Sequence, residues 1–335
     1  MTNEVSIIGS ILHILDNSGG ISIISDKTIS SSSDIDDYLE KHLKKCFYDI
    51  EVKNTVFENE MENEFLSLAK NFIKNDNFLE TSKKIAKKFI DFMINGTKIP
   101  SGDLIIVNFI YEENTYLGIL KFNYKNSYVH YVDSDDGIQN IIVKQPCSLP
   151  LETQKLDEFV IINLADFKLI VKEKKYEING KKEKYLSKYI LNSKIVISDK
   201  EVVDIVEKTA RNLIRNEYDD DVTKLSTFRR VISDDFQMAN EIDIENIANI
   251  TFENENTKNS FKEKIQKAGI QDNKIKISPN IEKKIVKKQK IVTDSGIEIS
   301  IPSNCLMDNE KVEFVNNIDG TISIVIKNIE DLRNK

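Results

Sequence analysis

The 335-residue chain contains no tryptophan and only three cysteines, three histidines, five prolines and eleven glycines. Each shortage removes a class of protein. Cys46, Cys147 and Cys305 are more than 100 residues apart in sequence, so neither a disulfide framework nor a zinc knuckle fits, and all three are expected to be core thiols. His13, His42 and His130 are too few for a histidine-rich metal site or a hydrolase that uses two imidazoles. Glycine is too sparse to hide a phosphate cradle, and no P-loop, G-x-G-x-x-G or G-x-S-x-G occurs. The longest apolar runs, LIIVNFI (Leu104 to Ile110) and FVIINL (Phe159 to Leu164), fall far short of the ~20 residues of a membrane helix. The opening MTNEVSIIGS lacks the basic, apolar and cleavage regions of a secretory signal, so a cytoplasmic location is expected. No cofactor and no enzymatic activity are expected either.

What the chain has is charge, distributed unevenly. Apolar residues make up 40% and charged residues 30%, the composition of a folded, soluble protein, and 38.5 kDa allows two or three domains. The net charge of −8 hides strong segregation. Residues 1–167 carry net −10, 168–194 net +6, 195–257 net −8, 258–290 net +8 and 291–335 net −4. Two basic stretches of about 60 residues in all therefore interrupt an acidic protein. Basic patches attract polyanions because each neutralised phosphate releases condensed counterions. The bland alternative is that lysine is the ordinary surface residue of a chain with 42 lysines and 5 arginines.

Periodicity gives an α+β protein. VSIIGSILHILD (Val5 to Asp16) reads as an opening strand closed by the NSGG turn. Helices are expected over about 34–48, with Ser33 or Asp34 as N-cap, over about 60–74 and over about 80–94. LIIVNFIY, TYLGILKF, SYVHYV and IIVKQP then read as an antiparallel meander, and EFVIINLADFKLIVKEKKYEI as a further strand pair. YLSKYIL begins a helical or irregular crossover. Ser198 and Glu201 form a capping box that opens a helix-rich middle reaching Gly269. Asp-Ser-Gly and Asp-Gly turns mark two C-terminal hairpins. The expected architecture is an N-terminal antiparallel sheet with flanking helices (1–190), a helical region (191–270), and a basic segment with β-hairpins (271–335).

Four motifs invite a catalytic reading. DSDDG (Asp133 to Gly137) has the wrong spacing for a calcium loop, carries Lys144 at the twelfth position, and is better read as a hairpin turn. Asp219, Asp220 and Asp221 could hold magnesium, but consecutive carboxylates diverge. His42 and Cys46 stand one helical turn apart, which a helix edge explains without chemistry. Glu173-Lys174-Lys175 gives the E-x-K pattern of metal-dependent nucleases, with Asp157 or Asp166 upstream. The same pattern recurs at Glu51 and Glu282.

ILHILD (Ile11 to Asp16), the EKHLKK segment around His42, IPSGDLIIVNF, YLGILKF, LDEFVIINL, TDSGIEISIP and VEFVNNIDGTISIVIKNI occur in an order that spans nearly the whole chain. Together they resemble the bacterial nucleoid-associated protein family typified by YejK/NdpA, in particular its branch in low-GC Gram-positive bacteria. The resemblance implies a nucleoid-bound protein that binds double-stranded DNA and is linked to chromosome topology through topoisomerase IV. It transfers no catalytic residue.

Charge alone supplies the expected DNA contacts: Lys172, Lys174, Lys175, Lys181, Lys182 and Lys184 in the first stretch, and Lys283, Lys284, Lys287, Lys288 and Lys290 in the second. Flexible ammonium groups follow a phosphate backbone without demanding a base edge, and few arginines argue against bidentate guanine readout. Repeated patches raise affinity, so a homodimer is an expected form. Two other classes stay open: a metal-dependent nuclease or nuclease accessory in phage defence built on Glu173, Lys175 and Asp166, and a protein-interaction scaffold whose acidic N-terminal domain takes a basic partner.

Overall fold

The computed structural model describes residues 4–17, 19–95, 97–133, 138–219, 221–285, 289–301, 305 and 310–331. The chain divides into two compact units, 1–196 and 197–335.

In the first unit the chain runs β1 (Val5–Leu15), α1 (Ser33–Phe47), β2 (Lys53–Thr55), α2 (Glu64–Asn75), α3 (Phe78–Met93), β3 (Gly102–Tyr111) and β4 (Asn114–Asn123). It continues through β5 (Lys125–Asp133), β6 (Gln139–Ser148), β7 (Glu158–Asn163), β8 (Leu169–Lys172), β9 (Lys175–Ile178) and β10 (Lys181–Lys184), and closes with a π-helical turn, Leu186–Ile190. Six strands form one sheet in the order β1-β3-β4-β7-β8-β2, antiparallel throughout.

The apolar runs are continuous rather than alternating because both faces of this sheet are covered. Leu104, Ile106, Leu117, Ile119, Val160 and Ile162 point into a core shared with Phe65, Phe72, Ile85 and Phe89 of α2 and α3. The intervening Ile105, Val107, Phe109, Leu120, Phe159 and Ile161 point to the opposite face, against Leu39, Leu43 and Cys46 of α1. The α+β expectation holds, as a helix–sheet–helix sandwich.

Local departures have physical reasons. The N-cap of α1 is Ser32, one residue before the expected pair, and its side chain accepts from the Ile35 amide. Helix α2 starts at Glu64 because Asn63 caps it, accepting from the Leu66 amide at 2.9 Å while its own amide donates to the Leu191 carbonyl. The expected meander is interrupted: β5 and β6 pair only with each other and stand apart from the six-stranded sheet, so β4 joins β7 directly. Their side chains lack the double-faced apolar run of their neighbours, and none of residues 125–132 or 138–148 is buried. DSDDG lies outside the described residues except for the backbone of Asp133, which pairs with Gln139.

The second unit contains α4 (Asp199–Glu217), α5 (Val222–Ala239), β11 (Glu241–Asp243), α6 (Ile244–Thr251), α7 (Glu255–Lys267), β12 (Lys274–Lys276), a 3₁₀ turn at Pro279–Ile281, and α8 (Glu282–Ile285). The capping box at Ser198 and Glu201 is formed from both sides. Helix α4 packs on α7 and α5 on α6, burying Val203, Val206, Ala210, Phe228, Ile247 and Phe261. The two C-terminal hairpins, β13 (Gln289–Val292) with β14 (Glu298–Ile301) and β15 (Val312–Asn316) with β16 (Ile322–Ile326), share a small core around Ile301 and Val312.

Candidate nucleic-acid interface

The first basic stretch folds into a tight hairpin. Asn179 and Gly180 both adopt positive φ, 49° and 80°, the geometry of a two-residue turn whose twist matches its strands. Pairing sets Lys182 opposite Glu177 and Lys184 opposite Lys175. Side chains alternate along a strand, so Lys175, Lys182 and Lys184 share one face with Glu177, while Lys181 and Glu183 share the other with Tyr176 and Ile178. Lys98 extends the hairpin at its edge: its amide donates to the Glu177 carbonyl and its ammonium pairs with the Glu177 carboxylate, each at 2.9 Å.

The six lysines expected here do not share one environment. Lys175, Lys181 and Lys182 are exposed and have no ion pair or hydrogen bond from their side chains among the described residues. Lys174 is exposed but paired with Asp157 at 2.8 Å, and Lys184 is half-buried. Lys172 departs from the expectation: it is only 6% exposed, with its ammonium 2.9 Å from Asp49 and 3.1 Å from Glu51. Both partners precede it by more than 100 residues, so no local count of charge could find them. Just beyond the hairpin, Lys188 is exposed, pairs with Glu183 at 2.9 Å and lies 4.8 Å from the Tyr189 ring centroid, and Lys194 is exposed.

The second stretch is more thoroughly matched by carboxylates. Lys284 is 8% exposed, held by Asp204 and by the Lys200 carbonyl at 3.3 Å. Lys258 pairs with Glu255, Lys262 with Glu245, Lys267 with Glu263 and Lys274 with Asp243. Lys287 and Lys288 lie outside the described residues, as do the side chains of Lys283 and Lys290.

The catalytic-looking motifs are occupied by structural contacts. The Glu173 carboxylate is buried, 2.9 Å from the Lys53 ammonium, and accepts from the Ser187 amide at 3.0 Å and from the Ser187 hydroxyl. Asp166 pairs with Lys168 at 2.8 Å. His42 packs edge-on against Tyr38 and Phe122, with ring centroids 4.6 and 5.3 Å away, and burial lowers its pKa to about 4. Burial likewise pushes the Cys46 thiol far up. Asp221 caps α5, accepting from the Thr223 amide at 2.7 Å, while Asp220 lies outside the described residues. Among the described residues no group of three or more metal-ligating side chains converges, and no helix is long and apolar enough to cross a membrane.

The Asn179-Gly180 turn is an Asn-Gly hairpin signal that a count of charge along the segment does not register. With the turn in view, alternation would have sorted its lysines by face.

Fold and surface define a mixed α+β protein whose first basic stretch is a solvent-exposed lysine hairpin attached to a sandwiched sheet. The model of the nucleoid-associated protein YejK family matches residues 11–333, nearly the full length, and the chain belongs to that family. Its association is thus with the nucleoid, as the ordered blocks of sequence implied. No curated protein matches the chain.

Proposed function

We propose that the protein binds duplex DNA at the nucleoid through lysine–phosphate contacts centred on Lys175, Lys181 and Lys182, with little dependence on base sequence and without catalysis. The observation that carries this reading is the exposure of three ammonium groups that make no ion pair or hydrogen bond among the described residues, on a two-strand hairpin, in a member of a nucleoid-associated family. Ammonium groups held by carboxylates have already exchanged their hydration for a countercharge, so Lys172 and Lys284 are left out of the contact set. Lys174 and Lys184 adjoin it, and Lys283, Lys287, Lys288 and Lys290 supply a second contact in the other unit. A link to chromosome topology through topoisomerase IV and a homodimeric DNA-bound form belong to the same reading. The test is retardation of a duplex by the full chain and its Lys181→Glu/Lys182→Glu variant across a salt series. Weaker binding by the variant, equal on unrelated sequences, is expected.

A further inference from the structure

Four of the five arginines, Arg211, Arg215, Arg229 and Arg230, lie on the consecutive helices α4 and α5. Lys208, Arg211 and Arg215 are spaced by three and four residues, which puts them on one face of α4. They line a cleft of about 590 Å³ together with Glu207, Asn212 and Asp204, whose carboxylate is already taken by Lys284. Half-buried Arg229 stands close to both Arg211 and Glu207; burial and the Arg211 charge lower its pKa, and Glu207 opposes them.

The surroundings make this grouping unusual. Residues 195–257 contain 15 carboxylates against 7 basic groups, yet none of these arginines has an ion pair or hydrogen bond from its side chain among the described residues. Like charges held together without countercharge repel, the more so where burial thins the solvent. Among the residues that line the cleft, with Asp204 paired to Lys284, Lys208, Arg211 and Arg215 face one further carboxylate, that of Glu207, and Arg229 adds its charge nearby. An anion from outside would offset this excess of positive charge. In a chain that uses lysine for 42 of its 47 basic residues, guanidinium at this place also has a chemical meaning, because its planar fork binds phosphate oxygens two at a time.

We infer that the cleft on α4 and α5 is a phosphate-binding site, distinct from the lysine hairpin, in which Arg211 and Arg215 grip the phosphate and Arg229 supplies charge from behind. The inference does not rest on the hairpin reading. Phosphate can arrive on a small free ligand or as part of a nucleic-acid backbone, and two probes separate the sources: inorganic pyrophosphate and a 20-base-pair duplex.

Calorimetric titration of the full chain, its Arg211→Gln/Arg215→Gln variant and its Lys181→Gln/Lys182→Gln variant decides the matter. Loss of two charge-assisted contacts should weaken the responding probe by at least about tenfold in the arginine variant. Pyrophosphate bound by the parent and lost with the arginines, but kept by the lysine variant, assigns the cleft to free phosphorylated ligands. Weaker duplex binding in the arginine variant, with no pyrophosphate binding, assigns it to backbone phosphate. If neither probe distinguishes parent from arginine variant, the site is overturned, whatever the lysine variant does. Should the substitutions unfold the chain, the arginine Nε–Hε resonances of the unsubstituted protein decide instead: shifts on adding either probe uphold the site, and their absence with both refutes it.

Discussion

Lys121 and Glu158 form an ion pair in the interior of the first unit, 3.3 Å apart, with both side chains essentially inaccessible. The Glu158 carboxylate also accepts from Asn123 and from the Tyr176 hydroxyl, each at 3.0 Å, and the Lys121 ammonium donates to the Pro100 carbonyl at 3.0 Å. Removing one partner strands the other charge. Glu158→Ala is therefore expected to cost about 3–5 kcal/mol in urea unfolding, and the double replacement Lys121→Met/Glu158→Leu distinctly less than the sum of its parts. His13 and His42 give the pH response. Both are buried with pKa values lowered to about 4, chiefly by burial, with Lys83 adding to the shift of His13 and Lys45 to that of His42. An imidazole whose folded pKa lies below its unfolded value of roughly 6.5 takes up its proton on unfolding. The stability it contributes is thus complete above about pH 6.5, declines as pH falls, and is gone near pH 4. Denaturant midpoints should drop between pH 7 and 5, and His42→Leu should flatten part of that drop. None of these burials was legible from charge counts. Lys121 and Lys172 contribute to the arithmetic like any surface lysine, and only long-range partners distinguish them.

At the scale of elements, the helices were legible because their signals are local. Caps, stripes of apolar residues and the Ser198/Glu201 box each act within one or two turns. The six-stranded sheet was half legible: continuous apolar runs marked β3, β4 and β7, but the pairing of three-residue β2 with β8 joins residues more than 100 positions apart. The β5–β6 ribbon looked like part of the meander because strand propensity does not report which partner a strand finds. It carries large apolar side chains in solvent, with Tyr128 70% and Ile142 79% exposed, and buries none. Replacing residues 125–148 by a short Gly/Ser linker should accordingly leave the sandwich folded, with Tm within about 4 °C of the parent by calorimetry. A larger fall would mean that the ribbon supports the sheet.

For the whole molecule, the segregation of charge along the sequence was the informative signal, and the family match bears out the nucleoid association that the ordered blocks implied. The two basic stretches fall in different compact units and have different characters. The first carries bare ammonium groups on a hairpin beside paired Lys172, Lys174 and Lys188, whereas four lysines of residues 258–276 are individually matched by carboxylates and Lys264 and Lys276 are exposed with no ion pair among the described residues. A net charge of +8 over residues 258–290 therefore overstates what an incoming polyanion meets there. The same arithmetic passed over the arginines, since they sit inside a segment of net −8. The measurement that bears most directly on DNA binding is the dependence of duplex affinity on salt for the parent and for Lys181→Glu/Lys182→Glu. With Lys175, Lys181 and Lys182 each displacing counterions, log affinity against log salt should fall with a slope of about −3 or steeper, and the double reversal should make it shallower by about 2. A slope indistinguishable from zero, or one that the reversal leaves unchanged, would contradict DNA binding through this hairpin.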